Sequence, residues 1–226
     1  MKAGIESGWW RSPGVGTATI VLALLLSGCG DDGSTPTSGG NVTTTMMTPT
    51  SVATTSTSGA EYPEVAAAIT AVGTRYRFTA LVTVGGAENT RVEGVVYDGI
   101  GQYLVTTAGQ TVEYIMGPAG QWARQGSGPW TVLAGPAPVV DPLGSLAHPV
   151  AVTVVSTQGA TTLIDATYPG SALGFAGAGD VVVQMVIVDG AIAETRYAVP
   201  LSDQEAAVVT TIESDAAMTP VTIPGR

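Results

Sequence analysis

From Arg75 onward the chain repeats with a period of two, and that repeat limits the fold more than any other feature. In Arg75–Val84 the even positions are Tyr76, Phe78, Ala80, Val82 and Val84; the odd ones are Arg75, Arg77, Thr79, Leu81 and Thr83. Successive side chains of a strand point to opposite faces, so this segment is predicted as a strand with one apolar and one mostly wet face. Gly85-Gly86 predicts a turn, and Thr90–Tyr97 repeats the pattern with Val92, Gly94 and Val96 opposite Arg91, Glu93 and Val95. Asp98-Gly99 is a tight-turn dipeptide, because both residues tolerate positive φ. Strands Gln102–Thr107 and Thr111–Met116 follow across Ala108-Gly109, then Gln121–Arg124 across Gly117-Pro118. The result is an antiparallel meander of five short strands.

Other segments frame the meander. Pro63 and Glu64 suit a first helical turn, and Val65–Val72 continues as a short helix that Gly73 stops. Gly126–Val140 is rich in Gly and Pro. It leads to Asp141, an N-cap with Pro142 at the first position of a second short helix ending near Pro149. Strands resume at Val150–Ser156 and Ala160–Tyr168, turning at Gln158-Gly159, and Pro169–Gly179 holds a turn of helix around Ser171–Gly174. Asp180–Val188 and Ala191–Val199 form a hairpin across Asp189-Gly190. Gln204–Glu213 fits helix or strand, with Val208-Val209-Thr210-Thr211-Ile212 favouring strand through β-branching. Thr219–Pro224 is extended. The expected class is α+β: a long antiparallel sheet with a few short helices on one face. A sheet of that length curls, and a curled open sheet is a half-barrel whose concave side needs covering.

Residues 1–28 read as a secretion signal. Lys2 and Arg11 precede Val15–Leu26, a stretch of apolar and small residues shorter than the ~20 needed to cross a bilayer. Leu26-Ser27-Gly28-Cys29 then matches a lipobox, in which small residues admit the peptidase and the thiol accepts a diacylglyceryl group. Cys29, the one cysteine of the chain, is the expected lipidation site, so no disulfide forms within the chain. Residues 29–60 are the lipidated cysteine and a Ser/Thr-rich tether, which as a flexible coil would reach about 30 Å; residues 61–226 form one domain. The expected location is the outer face of the cell membrane.

Charge narrows the partners. The chain has 8 Lys+Arg and 18 Asp+Glu. Losing Lys2, Arg11 and Glu6 with the signal leaves six arginines against 17 acidic groups, a net of −11. Such a surface repels phosphodiester backbones and argues against nucleic acid. It also argues against a polybasic grip on headgroups, leaving the lipid anchor to hold the membrane. Arg75 and Arg77 are expected to pair with acidic neighbours on the surface, with a lipid phosphate as the alternative partner.

Catalytic chemistry is sparse. His148 is the single histidine, which excludes a multi-histidine metal site within one chain, and neither metal nor cofactor is expected. Asp141, Ser145 and His148 have triad residue types, but one short turn does not give triad geometry and Ser145 lacks the Gly-x-Ser-x-Gly elbow. The plainer reading makes Asp141 a cap and leaves Ser145 in solvent. Glu93, Glu113, Asp165 and Glu194 lie on the polar sides of strands, where carboxylates are exposed. No enzymatic activity is expected.

The lipobox and Thr-rich tether, Val96-Tyr97-Asp98-Gly99 entering the Tyr103 strand, and Gly120-Gln121-Trp122 occur here in order. Asp141-Pro142-Leu143 after a Pro-rich link and the closing Thr219-Pro220-Val221-Thr222-Ile223-Pro224 complete the series. In these features the chain resembles the LppX/LprA/LprF/LprG group of actinobacterial lipoproteins, within the wider LolA-like half-barrel class. The resemblance implies a cavity between curved sheet and helices that holds acyl chains of membrane lipids or lipoglycans for transfer or presentation. Its lining would then come from Tyr76, Phe78, Ala80, Val82, Val96, Tyr103, Tyr114, Met116 and Trp130. The Ala-, Gly- and Val-rich composition fits a roomy cavity or a closely packed one. The alternative is a structural, sensor or interaction lipoprotein with a closed core, in which the same aromatics are ordinary core residues.

Overall fold

The structure is a computed structural model that describes residues 62–134, 141–175, 179–200 and 204–225. The signal, Cys29, the tether and Arg226 lie outside the described residues, as does the proline-rich stretch 135–140.

Pro63 opens helix α1 (Pro63–Val72), its fixed φ suiting the first turn, with Glu64 beside the positive helix end. Val65, Ala68 and Val72 form its buried stripe, and Gly73 ends it at φ +81°. The remaining regular structure is almost entirely strand. β1 (Arg75–Val84), β2 (Ala87–Tyr97), β3 (Ile100–Thr107), β4 (Gln110–Gly117), β5 (Gly120–Gln125) and the two-residue β6 (Thr131–Val132) form the first meander. β7 (Ala151–Gln158), β8 (Thr161–Pro169), β9 (Asp180–Val188), β10 (Ala191–Pro200) and β11 (Glu205–Ser214) form the second. Gln204–Glu213, open between helix and strand in the sequence, is therefore a strand.

All eleven strands belong to one open antiparallel sheet ordered β6-β5-β4-β3-β2-β1-β11-β10-β9-β8-β7. The first and last strands meet at its centre, with Phe78 opposite Ile212 and Val82 opposite Val208. β6 and β7 are the edges.

Register carries the period-two pattern across the sheet. One row runs Val112, Val105, Val92, Ala80, Thr210, Thr195, Met185, Ile164, Val154 from β4 to β7. Most of that face is buried. The opposite face carries the ion pairs: Arg75–Asp98, Arg77–Asp215, Arg91–Glu88, Arg124–Glu113 and Arg196–Glu194. All five described arginines are thus paired with carboxylates, Arg75 and Arg77 as expected from the sequence.

Two expectations need correction. The class is mostly β, with one α-helix among the described residues. The Asp141 segment is a 3-10 turn at Gly144–Leu146, closed by Leu146 N–H to the Leu143 carbonyl and Ala147 N–H to that of Gly144. Pro142 precedes that turn and Pro149 prevents its continuation, and the bonds made are of the 3-10 kind. The turn of helix expected around Ser171–Gly174 is present, as the 3-10 turn Gly170–Leu173. Two hairpin turns also move by one residue, to Pro118-Ala119 and Gly159-Ala160. Proline presets the first corner of a turn, and Gly159 takes φ +59° at the same position.

Three turns place a non-glycine residue at positive φ before glycine: Asp98 at +47°, Ala108 at +49° and Asp189 at +51°. Aspartate tolerates that region, whereas the Cβ of alanine is strained there. Ala108→Asn should therefore stabilise the protein by about 1 kcal/mol, read as a higher urea midpoint at unchanged slope.

Candidate ligand-binding face

The apolar face is built on an aromatic floor. Phe78 faces Gly94 across the β1–β2 pair, and Gly94 in turn faces Tyr103. The Phe78 ring lies flat over Gly94: a Cβ added there would fall 2.1 Å from ring carbon Cε1. Tyr103 bends along its own strand over Gly101, where an added Cβ would meet the phenol oxygen at 2.1 Å. Ring centroids are 5.9 Å apart for Phe78–Tyr103 and 6.3 Å for Tyr76–Phe78, within the range of favourable tilted aromatic pairs. Two glycines thus let two rings lie down on the sheet.

Tyr76 instead reaches the segment between β6 and β7. Its hydroxyl donates to Asp141 Oδ1 at 2.7 Å, and the Leu143 N–H donates to the same oxygen at 2.9 Å. On the other side of that segment, the Tyr168 hydroxyl of β8 donates to the Leu146 carbonyl at 2.7 Å. Residues 141–147 are therefore strapped to both meanders by phenols. Burial, then the Asp141 carboxylate, pushes the Tyr76 phenol far above its usual range, and the same two causes raise Tyr103. Burial alone raises Tyr168. These phenols remain protonated, and so Tyr76 and Tyr168 remain donors, at any physiological pH. Helix α1 lies over β10, and Phe175 meets Tyr197 edge-on at 6.1 Å.

Of the residues singled out in the sequence, Tyr76, Phe78, Ala80, Val82, Val96, Tyr103 and Met116 are buried together in one apolar cluster, with Tyr114 half-buried against it. Trp130 does not join them. Its ring lies 4.5 Å from the guanidinium carbon of Arg124, which pairs with Glu113 on the opposite face. Trp130 follows the end of β5, so alternation could not assign it a face, and the cation–π contact accounts for its place. The second meander contributes Ile164, Tyr168, Val183 and Met185, which were not singled out. Their signal was present in the alternation of β8 and β9; what was missing was the pairing that joins both halves.

Two of the three triad residue types are engaged otherwise. Ser145 Oγ donates to the Pro142 carbonyl at 2.9 Å, and Asp141 serves Tyr76 and Leu143. Ser145 and His148 are exposed. Among the strand carboxylates, Glu113 accepts from Arg124 and Gln102, Asp165 from Gln184 and Glu194 from Arg196. Among the described residues no group of three or more His, Cys, Asp and Glu is arranged to hold a metal ion.

No protein-family model matches the chain, and no curated protein matches it either.

The floor makes a specific demand on Gly94. The Phe78 ring lies between Tyr76 and Tyr103, so shifting it disturbs both aromatic contacts. Gly94→Ala should destabilise the protein by about 1–3 kcal/mol through overpacking. Urea unfolding measures this, and an unchanged midpoint would mean that the ring moves freely.

Proposed function

We propose that this chain is a lipid-anchored envelope protein whose apolar face accommodates acyl chains of membrane lipids or lipoglycans, carrying or presenting them. The supporting observation is the continuity of that face: one row of side chains crosses nine strands without a charged residue. Adjacent strands are rotated by roughly 20–25°, so an open sheet of eleven strands curls, and in this reading the apolar side is the hollow of a half-barrel. Among the described residues its cover is helix α1, with the small side chains Val65, Ala68 and Val72, together with short 3-10 turns and Phe175. Each methylene moved from water to such a face contributes about 0.8 kcal/mol, so a long acyl chain needs few polar contacts. Broad chain specificity follows, and no catalytic role is assigned.

A second reading has its own observation. Tyr76, Val92, Val183 and Met185 are at most 1 % exposed, which leaves no open space beside them in this state. Under the carrier reading an acyl chain enters only as the α1 cover shifts. Under the alternative, the core stays closed and the domain is a structural or partner-binding module.

Two experiments test the proposal. The leaderless chain carrying Cys29→Ser, purified from its own host, should show acyl-lipid mass increments by native mass spectrometry and take up a fluorescent fatty acid from solution. Bare protein with no uptake would favour the closed-core reading. In cells, full-length Cys29→Ser should leave the membrane fraction and lose incorporation of a palmitate analogue. Retention in the membrane at wild-type level would refute the anchor.

A further inference from the structure

The apolar face is not sealed at both edges of the sheet. Its nine-strand row runs through Ile164, which is 1 % exposed, and ends one strand further at Val154, which is 56 % exposed. Val150, just before β7, is 52 % exposed. Val155, in the bulge between Val154 and Ser156, is 48 % exposed. At the other edge the same row continues from Val112 to the amide Gln125, and the neighbouring row ends at Thr131. On the apolar face the rows therefore end in an exposed valine at β7 and in polar side chains at the β5–β6 edge, where the exposed Val132 belongs to the row of Trp122 on the opposite face.

The apolar rim is also neutral. Pro142–Ile164 contains no Asp, Glu, Lys or Arg, in a chain whose net charge is −10. An acidic protein is repelled by anionic headgroups wherever it shows its charge, and least where it shows none. The path of the chain points to the same edge. Tyr62, the first described residue, donates its hydroxyl to the Val150 carbonyl at 3.3 Å. The segment leading from Cys29 thus joins the domain beside this rim.

Building on the carrier reading, we propose that the β7 rim, centred on Val150, Val154 and Val155, is the surface by which the domain rests on a lipid bilayer. Edge valines enter the headgroup boundary, where binding scales with buried apolar area. An acyl chain then passes from bilayer to apolar face along one continuous apolar path, without crossing the charged outer face. A second copy pairing along β7 is the competing occupant for an uncharged edge strand.

The Cys29→Ser chain has no other thiol, so a cysteine placed at Val154 can carry a nitrobenzoxadiazole label. Val132→Cys, at a site 71 % exposed on the opposite edge, is the control. With vesicles of phosphatidylcholine and phosphatidylglycerol, the label at position 154 should brighten severalfold and shift to the blue, while that at 132 stays unchanged. Val154→Asp should lower vesicle co-flotation about tenfold with an unaltered circular dichroism spectrum, and Val154→Leu should retain it. Equal responses at both positions, or none at 154, would overturn the proposal. Brightening at 154 without vesicles, growing with protein concentration, would overturn it in favour of a second copy. Fatty-acid uptake from solution involves no bilayer. Uptake kept with docking absent removes only the docking surface, whereas docking kept with uptake absent removes only the carrier reading.

Discussion

The pairing of β1 with β11 holds the architecture together. Thr79 and Thr211, 132 residues apart, face each other in that ladder. Without it there are two antiparallel meanders, each with one apolar side and a central edge open to solvent. With it, the two apolar sides become one face crossing the whole sheet. Closing so long a loop costs more chain entropy than any hairpin in the molecule. The cost is offset by paired side chains on the buried side, Phe78 with Ile212 and Val82 with Val208, and by a ladder running the length of both strands.

On that face, besides the threonines Thr90, Thr195 and Thr210, polar groups appear where something crosses it. Tyr76 and Tyr168 hold the 141–147 segment from opposite meanders, one through the Asp141 carboxylate and the other through the Leu146 carbonyl. A buried phenol without a partner is costly, and a strap without donors would leave acceptors unsatisfied, so each arrangement stabilises the other. The floor beneath follows a different logic. Phe78 and Tyr103 lie flat because Gly94 and Gly101 have no Cβ, which keeps large apolar area on the sheet while occupying little height above it.

The charged side chains of the strands are confined to the other face, while on the apolar side the Asp141 carboxylate comes from the strap. Each described arginine is matched to a carboxylate, and the exposed pairs Arg75–Asp98 and Arg91–Glu88 contribute little stability. The five pairs place these charged side chains away from the apolar row. The side chains of the long β7 edge carry no charge, in contrast to the usual protection of an edge strand by lysine. The bulge at Val155 and the cover over Val152 limit that edge without polarising it.

Local physics was legible in the sequence. Alternation from Tyr76 to Val82, the Asp98-Gly99 and Asp189-Gly190 turns, Pro63 and Gly73 each depend on one residue's own φ preference or on the fixed period of a strand, so nearest neighbours sufficed. Seven of the side chains singled out for the apolar face cluster there for the same reason. Trp130 could not be placed, because beyond the end of a strand alternation no longer assigns a face, and its position depends on Arg124. The strap's true length and its partners were equally hidden. The identity of β1's second neighbour is a contact between chain ends, set by which rows of side chains fit when both meanders are present. That choice, the joining of Tyr103 and Met185 into one core, and the exposure of Val154 at its rim belong to the tertiary structure alone, because burial is a property of what lies opposite a residue and not of the residue itself.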